Sequence, residues 1–120
     1  MPLTDDIAAA TLEFQSGEGT CMARLRFSGA EDFFQGHFPG RPVLPAVVQI
    51  AAVVGLASRL AGTELRLSEV TRAKFMAPTG PGRELALRLT LDPEVEGRRR
   101  VKATLYDGAV EVAELTLRLI

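Results

Sequence analysis

The sequence predicts an α+β domain: an antiparallel sheet of about six strands wrapped around one central apolar helix. Three observations carry this. Residues 46–60 are apolar around nearly their whole circumference, which fits a helix enclosed by other elements better than a surface helix. On both sides of that run polarity alternates with period two, the mark of half-buried strands. Finally, 120 residues, 47% hydrophobic and 24% charged, can bury one core, so helix and strands must share it in a single domain over residues 1–120.

Taken in order, residues 7–14 read as a first strand, and Ser16-Gly17-Glu18-Gly19 as a turn. Residues 20–27 alternate, with Cys21, Ala23, Leu25 and Phe27 on one face and Met22, Arg24 and Arg26 on the other. Cys21 is then a small half-buried strand residue rather than a reactive thiol. Ser28-Gly29-Ala30-Glu31-Asp32 caps a short helical turn ending in Phe33-Phe34, two aromatics able to anchor the loop that follows. The helix of residues 46–60, about 22 Å long at 1.5 Å per residue, stops at Gly62. Residues 65–75 form a strand whose parity drifts, and Ala77-Pro78-Thr79-Gly80-Pro81-Gly82 is a turn. Leu85, Leu87, Leu89 and Leu91 mark the clearest amphipathic strand. Residues 98–106, a hairpin at Asp107-Gly108 and the alternation Ala113, Leu115, Leu117, Leu119 complete the sheet.

Several function classes are disfavoured. A net charge of −1 and a pI near 5.8 leave no whole-chain electrostatic footprint for nucleic acid. One cysteine cannot form an internal disulfide, and one His with one Cys cannot fill a tetrahedral metal site, so no metal is expected; the expectation for other cofactors is likewise none. The acidic start Thr4-Asp5-Asp6 is unlike a secretory signal. The longest apolar run is interrupted by Gln49 and falls short of the roughly 20 residues that cross a bilayer. No membrane association and a cytoplasmic location are the expectation.

Chemistry concentrates in Phe33-Phe34-Gln35-Gly36-His37-Phe38-Pro39-Gly40-Arg41-Pro42-Val43-Leu44-Pro45, directly before the helix. His37 is the only histidine. Three prolines fix φ and two glycines supply conformations other residues avoid, so the loop has few accessible shapes and its imidazole is placed. A lone loop histidine is most often a hydrogen-bonded structural residue, but the flanking residues add information. Gly36 to Pro45, Gly-His-Phe-Pro-Gly-x-Pro-Val-Leu-Pro, resembles the motif of the 3-hydroxyacyl-acyl carrier protein dehydratases, a hot-dog-fold family of fatty acid synthesis. Ala73-Lys74-Phe75-x-x-Pro78 and Pro81-Gly82-x-x-Leu85 are similar, more loosely, to the segment that follows the central helix in that family.

The resemblance implies an acyl thioester substrate, on acyl carrier protein or coenzyme A, in fatty acid, lipid or polyketide-type synthesis. It places His37 as the base for the α-proton, a task a neutral imidazole performs near pH 7. Backbone N–H groups at the helix start would hold the thioester oxygen, at Ala46 where the family usually has glycine, with Phe38 and Gly40 shaping the loop. The departure lies fourteen residues beyond the histidine: Ala51 stands where the family carries Glu or Asp, and no carboxylate occurs from His37 to Gly62. Gln49, the only polar side chain of the helix before Ser58, can hydrogen-bond a hydroxyl or water but is no general acid, and it lies about 200° around the helix from position 51. Three readings follow: a dehydratase or hydratase with His37 as base; a non-catalytic or heteromeric subunit whose acid comes from another chain; and a hot-dog thioesterase. A homodimer or higher oligomer, with the pocket at the subunit boundary, is expected because the sheet has two open edges. Among Arg41, Arg72, Lys74 and Arg98-Arg99-Arg100, Arg41 is the best placed to dock an acidic carrier protein.

Overall fold

The computed structural model describes residues 3–35 and 40–120. It contains helix α1 (Leu3–Ala10), strands β1 (Thr11–Gly17) and β2 (Thr20–Leu25), a 3₁₀ turn (Asp32–Phe34), helix α2 (Ala46–Ala61), and strands β3 (Leu67–Phe75), β4 (Leu85–Leu91), β5 (Arg99–Asp107) and β6 (Val110–Leu119). The six strands form one sheet in the order β1-β2-β4-β5-β6-β3, antiparallel at every pairing. The α+β class and the order of two strands, central helix and four strands agree with expectation.

The first element does not. Residues 3–10 are helical, and the first strand begins only at Thr11. Ile7 and Ala10 fall on one helical face and are buried, Asp5 and Asp6 favour the first turn's dipole, and the Thr11 hydroxyl closes the helix by donating to the Ile7 carbonyl at 2.8 Å. Alanines at 8 to 10 favour helix over strand. β1 therefore runs on to Gly17, and the turn narrows to Glu18-Gly19, with Gly19 at φ 69°.

β4 alternates as its leucines require, burying Leu85, Leu87, Leu89 and Leu91, and β6 buries Ala113, Leu115, Leu117 and Leu119 on the same side of the sheet. The β5–β6 hairpin turns at Gly108-Ala109, one residue later than expected, because Asp107 still pairs with Val110. The drifting parity of residues 65–75 has a cause: β3 carries register shifts between Leu67 and Glu69 and between Val70 and Arg72.

α2 ends at Gly62, whose φ of 73° lets its N–H reach the Ser58 and Arg59 carbonyls. Against the sheet it buries Val48, Gln49, Ala52, Val53, Leu56 and Ala57. The expectation of a helix enclosed all round fails on the other side, where Val47 is 64% exposed and Ile50, Ala51 and Val54 are half-buried. One sheet covers one face of a helix, and α1 packs against only part of the rest. β3 is equally bare, exposed along its whole length although Leu67, Val70, Ala73 and Phe75 pair with buried β6 residues. Exposed β3 side chains and the open face of α2 make an apolar surface that the described residues do not cover.

Candidate functional site

The histidine motif is anchored at both ends. Upstream, Phe33 and Phe34 pack on Phe27, with ring centroids 5.5 and 6.4 Å away at near-perpendicular angles. This is the anchorage expected of them. The turn before them is held by Glu31. Burial pushes its carboxyl up, but hydrogen bonds from its own, the Ser28 and the Gly29 backbone N–H and from the Ser28 hydroxyl outweigh that and hold it below the usual range. His37 and Phe38, the expected base and a loop-shaping residue, lie outside the described residues.

Downstream, Gly40 has φ 82°, the left-handed conformation that favours glycine, and Arg41 beside it is exposed. The chain then docks onto the turn of residues 78–82. Leu44 N–H donates to the Thr79 carbonyl at 2.7 Å, and Gly80 abuts the Pro42 backbone. Beneath that turn, Asp107 takes three hydrogen bonds from Arg83, at 2.9 to 3.3 Å, and one from the Thr79 hydroxyl at 3.3 Å. The Arg83 hydrogen bonds hold the Asp107 carboxyl below its ordinary value against burial, which pushes it up; the guanidinium charge and Thr79 add to the depression. The turn itself was legible in its Pro and Gly residues and in the looser second motif, but the bracing roles of Thr79, Gly80 and Asp107 were not.

α2 begins after Pro45, whose carbonyl accepts from Val48 N–H at 3.1 Å and Gln49 N–H at 3.2 Å. The first N–H groups of a helix have no intrahelical partner, so those of Ala46 and Val47 are the donors left at this end. A groove of about 360 Å³ opens here, with Val43, Ala46, Gln49, Phe75 and Met76 in its walls. Gln49 is 5% exposed. Its Nε2 donates to the Leu44 carbonyl at 3.2 Å, whereas its Oε1 has no partner among the described residues. Beside it, between α2 and the sheet, lies an enclosed apolar space of about 10 Å³, at the lower limit for one water.

Ala51 is on the other side of the helix, in a groove of about 790 Å³ along the open apolar face with Val47, Ile50, Val54 and Gly55. The structure thus separates Gln49 from Ala51, as the helical period requires, and brings Gln49 together with Ala46 and the loop exit. Glu64 is the one carboxylate in that groove's walls among the described residues, and it lies beyond the far end of α2. No group of three His, Cys, Asp or Glu among the described residues is arranged to hold a metal, and no described helix is long and apolar enough to cross a membrane. Cys21 is buried, and burial pushes its thiol up to about 11, with Arg59 opposing.

A family model described as ApeI-like, ApeI dehydratase, matches residues 13–112. The chain belongs to this dehydratase family. Among its relatives, the 3-hydroxyacyl-[acyl-carrier-protein] dehydratase FabZ of Lactobacillus helveticus is 37% identical over 95 residues, covering 72% of this chain and 64% of that protein, so the chain spans just under two thirds of its length. FabZ of Klebsiella pneumoniae is 33% identical over 116 residues, 88% of this chain and 76% of the relative. The dehydratase heterocomplex ApeI:P from Xenorhabdus doucetiae contains a chain similar to this one, with TM-score 0.75 and 26% identity over 91% of this chain and 95% of that one. An HP0420 homologue from Helicobacter felis shares the fold, with TM-score 0.71 and 15% identity over 96% of this chain and 90% of that one. The sheet wrapped on one helix is the hot-dog fold of the ApeI-like family, as the resemblance implied.

Proposed function

We propose that the protein is a hydro-lyase that removes water from a 3-hydroxyacyl thioester carried on acyl carrier protein or coenzyme A, in fatty acid, lipid or polyketide-type synthesis. The observation that carries this is the dehydratase-family match over residues 13–112, which spans the histidine motif, α2 and most of the sheet. In the reaction His37 takes the α-proton, the electron pair forms the new carbon–carbon double bond, and the 3-hydroxyl leaves as water after gaining a proton. N–H groups at the start of α2, at Ala46, stabilise the thioester oxygen while charge builds on it. Phe38 and Gly40 shape the loop, and Arg41, exposed at its edge, offers a cation to an acidic carrier protein. Gln49 lies within the wall of the groove at that helix start, with an amide oxygen ready to accept from a hydroxyl.

The proton for the leaving hydroxyl is the open position, because Ala51 replaces the helix carboxylate that the resemblance implies. Two arrangements answer it: a water held at Gln49, or a carboxyl from a second polypeptide. The open face of α2 around Ala51 and the bare β3 favour a site completed by another chain, in a dimer or higher assembly. A heteromeric partner that carries the acid fits that geometry, and the similar chain of Xenorhabdus doucetiae comes from a heterocomplex.

The test is an assay of enoyl thioester formation from a 3-hydroxyacyl carrier-protein substrate, with the purified protein alone and with an acid-bearing hot-dog subunit added. Dehydration by the protein alone, abolished in His37→Ala, supports the self-sufficient enzyme; dehydration only in the mixture supports the heteromeric subunit. Release of free carrier thiol without an enoyl product overturns both in favour of a thioesterase.

A further inference from the structure

On the sheet face turned away from α2, the register concentrates positive charge. Arg100 on β5 stands directly opposite Arg118 on β6. Like charges so placed repel, and each is tied off by a carboxylate, Arg100 by Asp92 and Arg118 by Glu69, both at 2.9 Å. Two residues along the same face, Lys102 pairs across to Thr116, and Thr116 to Arg72 on β3, while Arg88 lies diagonal to Lys102 on β4. Arg72, Arg88 and Lys102 have no carboxylate within ion-pair distance among the described residues, and all three line one trough of about 770 Å³. Strand spacing sets Lys102 about 10 Å from Arg72 and about 7–8 Å from Arg88.

We propose that this trough docks an acidic segment of a partner polypeptide, its carboxylates meeting Arg72, Arg88 and Lys102. Spacings of about 7–10 Å match carboxylates one to two turns apart on a helix, and a helix is about 10 Å across. Thr90, Thr104 and Thr116 in the walls supply hydroxyls that both donate and accept. Glu114, in the same walls, stands opposite Lys74 in the β3–β6 register, so the three cations leave the trough with an excess of positive charge. Because the trough is on the face away from α2, occupancy leaves the acyl thioester site free.

Binding of fluorescein-labelled poly-L-glutamate to the full chain, followed by anisotropy at low and physiological salt, tests this. The wild type should bind and weaken with salt, and the double variant Arg88→Glu/Lys102→Glu, with an unchanged melting temperature, should bind at least about tenfold more weakly. Arg88→Gln/Lys102→Gln should fall between them, and Arg66→Glu, exposed and outside the trough, should bind like the wild type. Undiminished binding by the charge-reversed variant overturns the proposal. So does displacement of poly-L-glutamate by pyrophosphate or heparin at equal or lower charge concentration, which would make the trough a general polyanion site. The readout needs no turnover, so failure of the dehydratase assay leaves it intact.

Discussion

A Cβ added to Gly80 would sit 2.6 Å from the carbonyl oxygen of Pro42, closer than real side chains approach. Two segments far apart in sequence are thus in backbone contact, and the Leu44–Thr79 hydrogen bond runs beside them. The exit of the histidine motif is braced from outside as well as by its own prolines. Gly80→Ala must push the two backbones apart, at a cost of about 1–3 kcal/mol. The urea midpoint should fall accordingly, and enoyl formation should fall further than stability alone explains. Gly55→Ala is the matched control: its Cβ meets nothing within 4 Å, and its stability should hold or rise.

Period-two leucines made β4 and β6 legible because each strand has one face on this chain's own core. The same logic misled at residues 7–14, where a short alanine-rich stretch carries helical and strand patterns at once, and the buried pair Ile7 and Ala10 settles it as helix. Apolar periodicity also cannot distinguish a residue buried in its own chain from one awaiting another. Val47, in a helix read as enclosed, therefore emerges exposed. The contacts that brace the site, Leu44 to Thr79 and Thr79 to Asp107, join segments with no local pattern in common. His37, Ala46 and Gln49 were legible as candidates because the motif and the helix start are contiguous.

Gln49 offers a separation of stability from activity. Gln49→Leu deprives the Leu44 carbonyl of its donor but also removes a buried Oε1 that has no partner among the described residues, so the two effects offset to within about 1 kcal/mol. If the amide oxygen serves the substrate hydroxyl, kcat for dehydration should drop at least about tenfold with a near-constant melting temperature. An unchanged kcat would confine Gln49 to holding the loop.

Ala51→Glu restores a carboxyl in the position where the resemblance implies one. The apolar groove around residue 51 raises a carboxyl's pKa, which suits a proton donor. Dehydration by the protein alone should rise by about 10²-fold or more, the scale of a placed general acid. In a mixture with an acid-bearing partner the gain should be much smaller. No gain in either assay would show that position 51 does not face the reacting hydroxyl.

The Asp107 carboxyl is held low in the folded protein, chiefly by the Arg83 hydrogen bonds. Its stabilising contribution is therefore complete above the unfolded-state value of about 3.9 and is lost as pH falls through the lower folded value. Asp107→Asn should be less stable than the wild type at pH 7, and the two denaturation curves should converge as the pH is lowered below about 4. Curves that stay equally separated across that range would assign the difference to packing under Thr79 instead of to charge.

β3 supplies the test of assembly. Among the described residues it pairs on one side only, with β6, and its Leu67, Val70 and Phe75, with Met76 just beyond, are all exposed. Such an edge is a template for another strand, and the neighbouring open face of α2 adds area of the same character. In solution the wild type should run as a dimer or larger species at micromolar concentration. Val70→Lys, which sets a charge on the apolar side of β3 without touching this chain's own core, should shift the mass toward the monomer. Because the site is argued to be completed by a second chain, dehydration should fall in step with the loss of dimer and recover as protein concentration rises. A monomeric, fully active wild type would place every catalytic group within one chain.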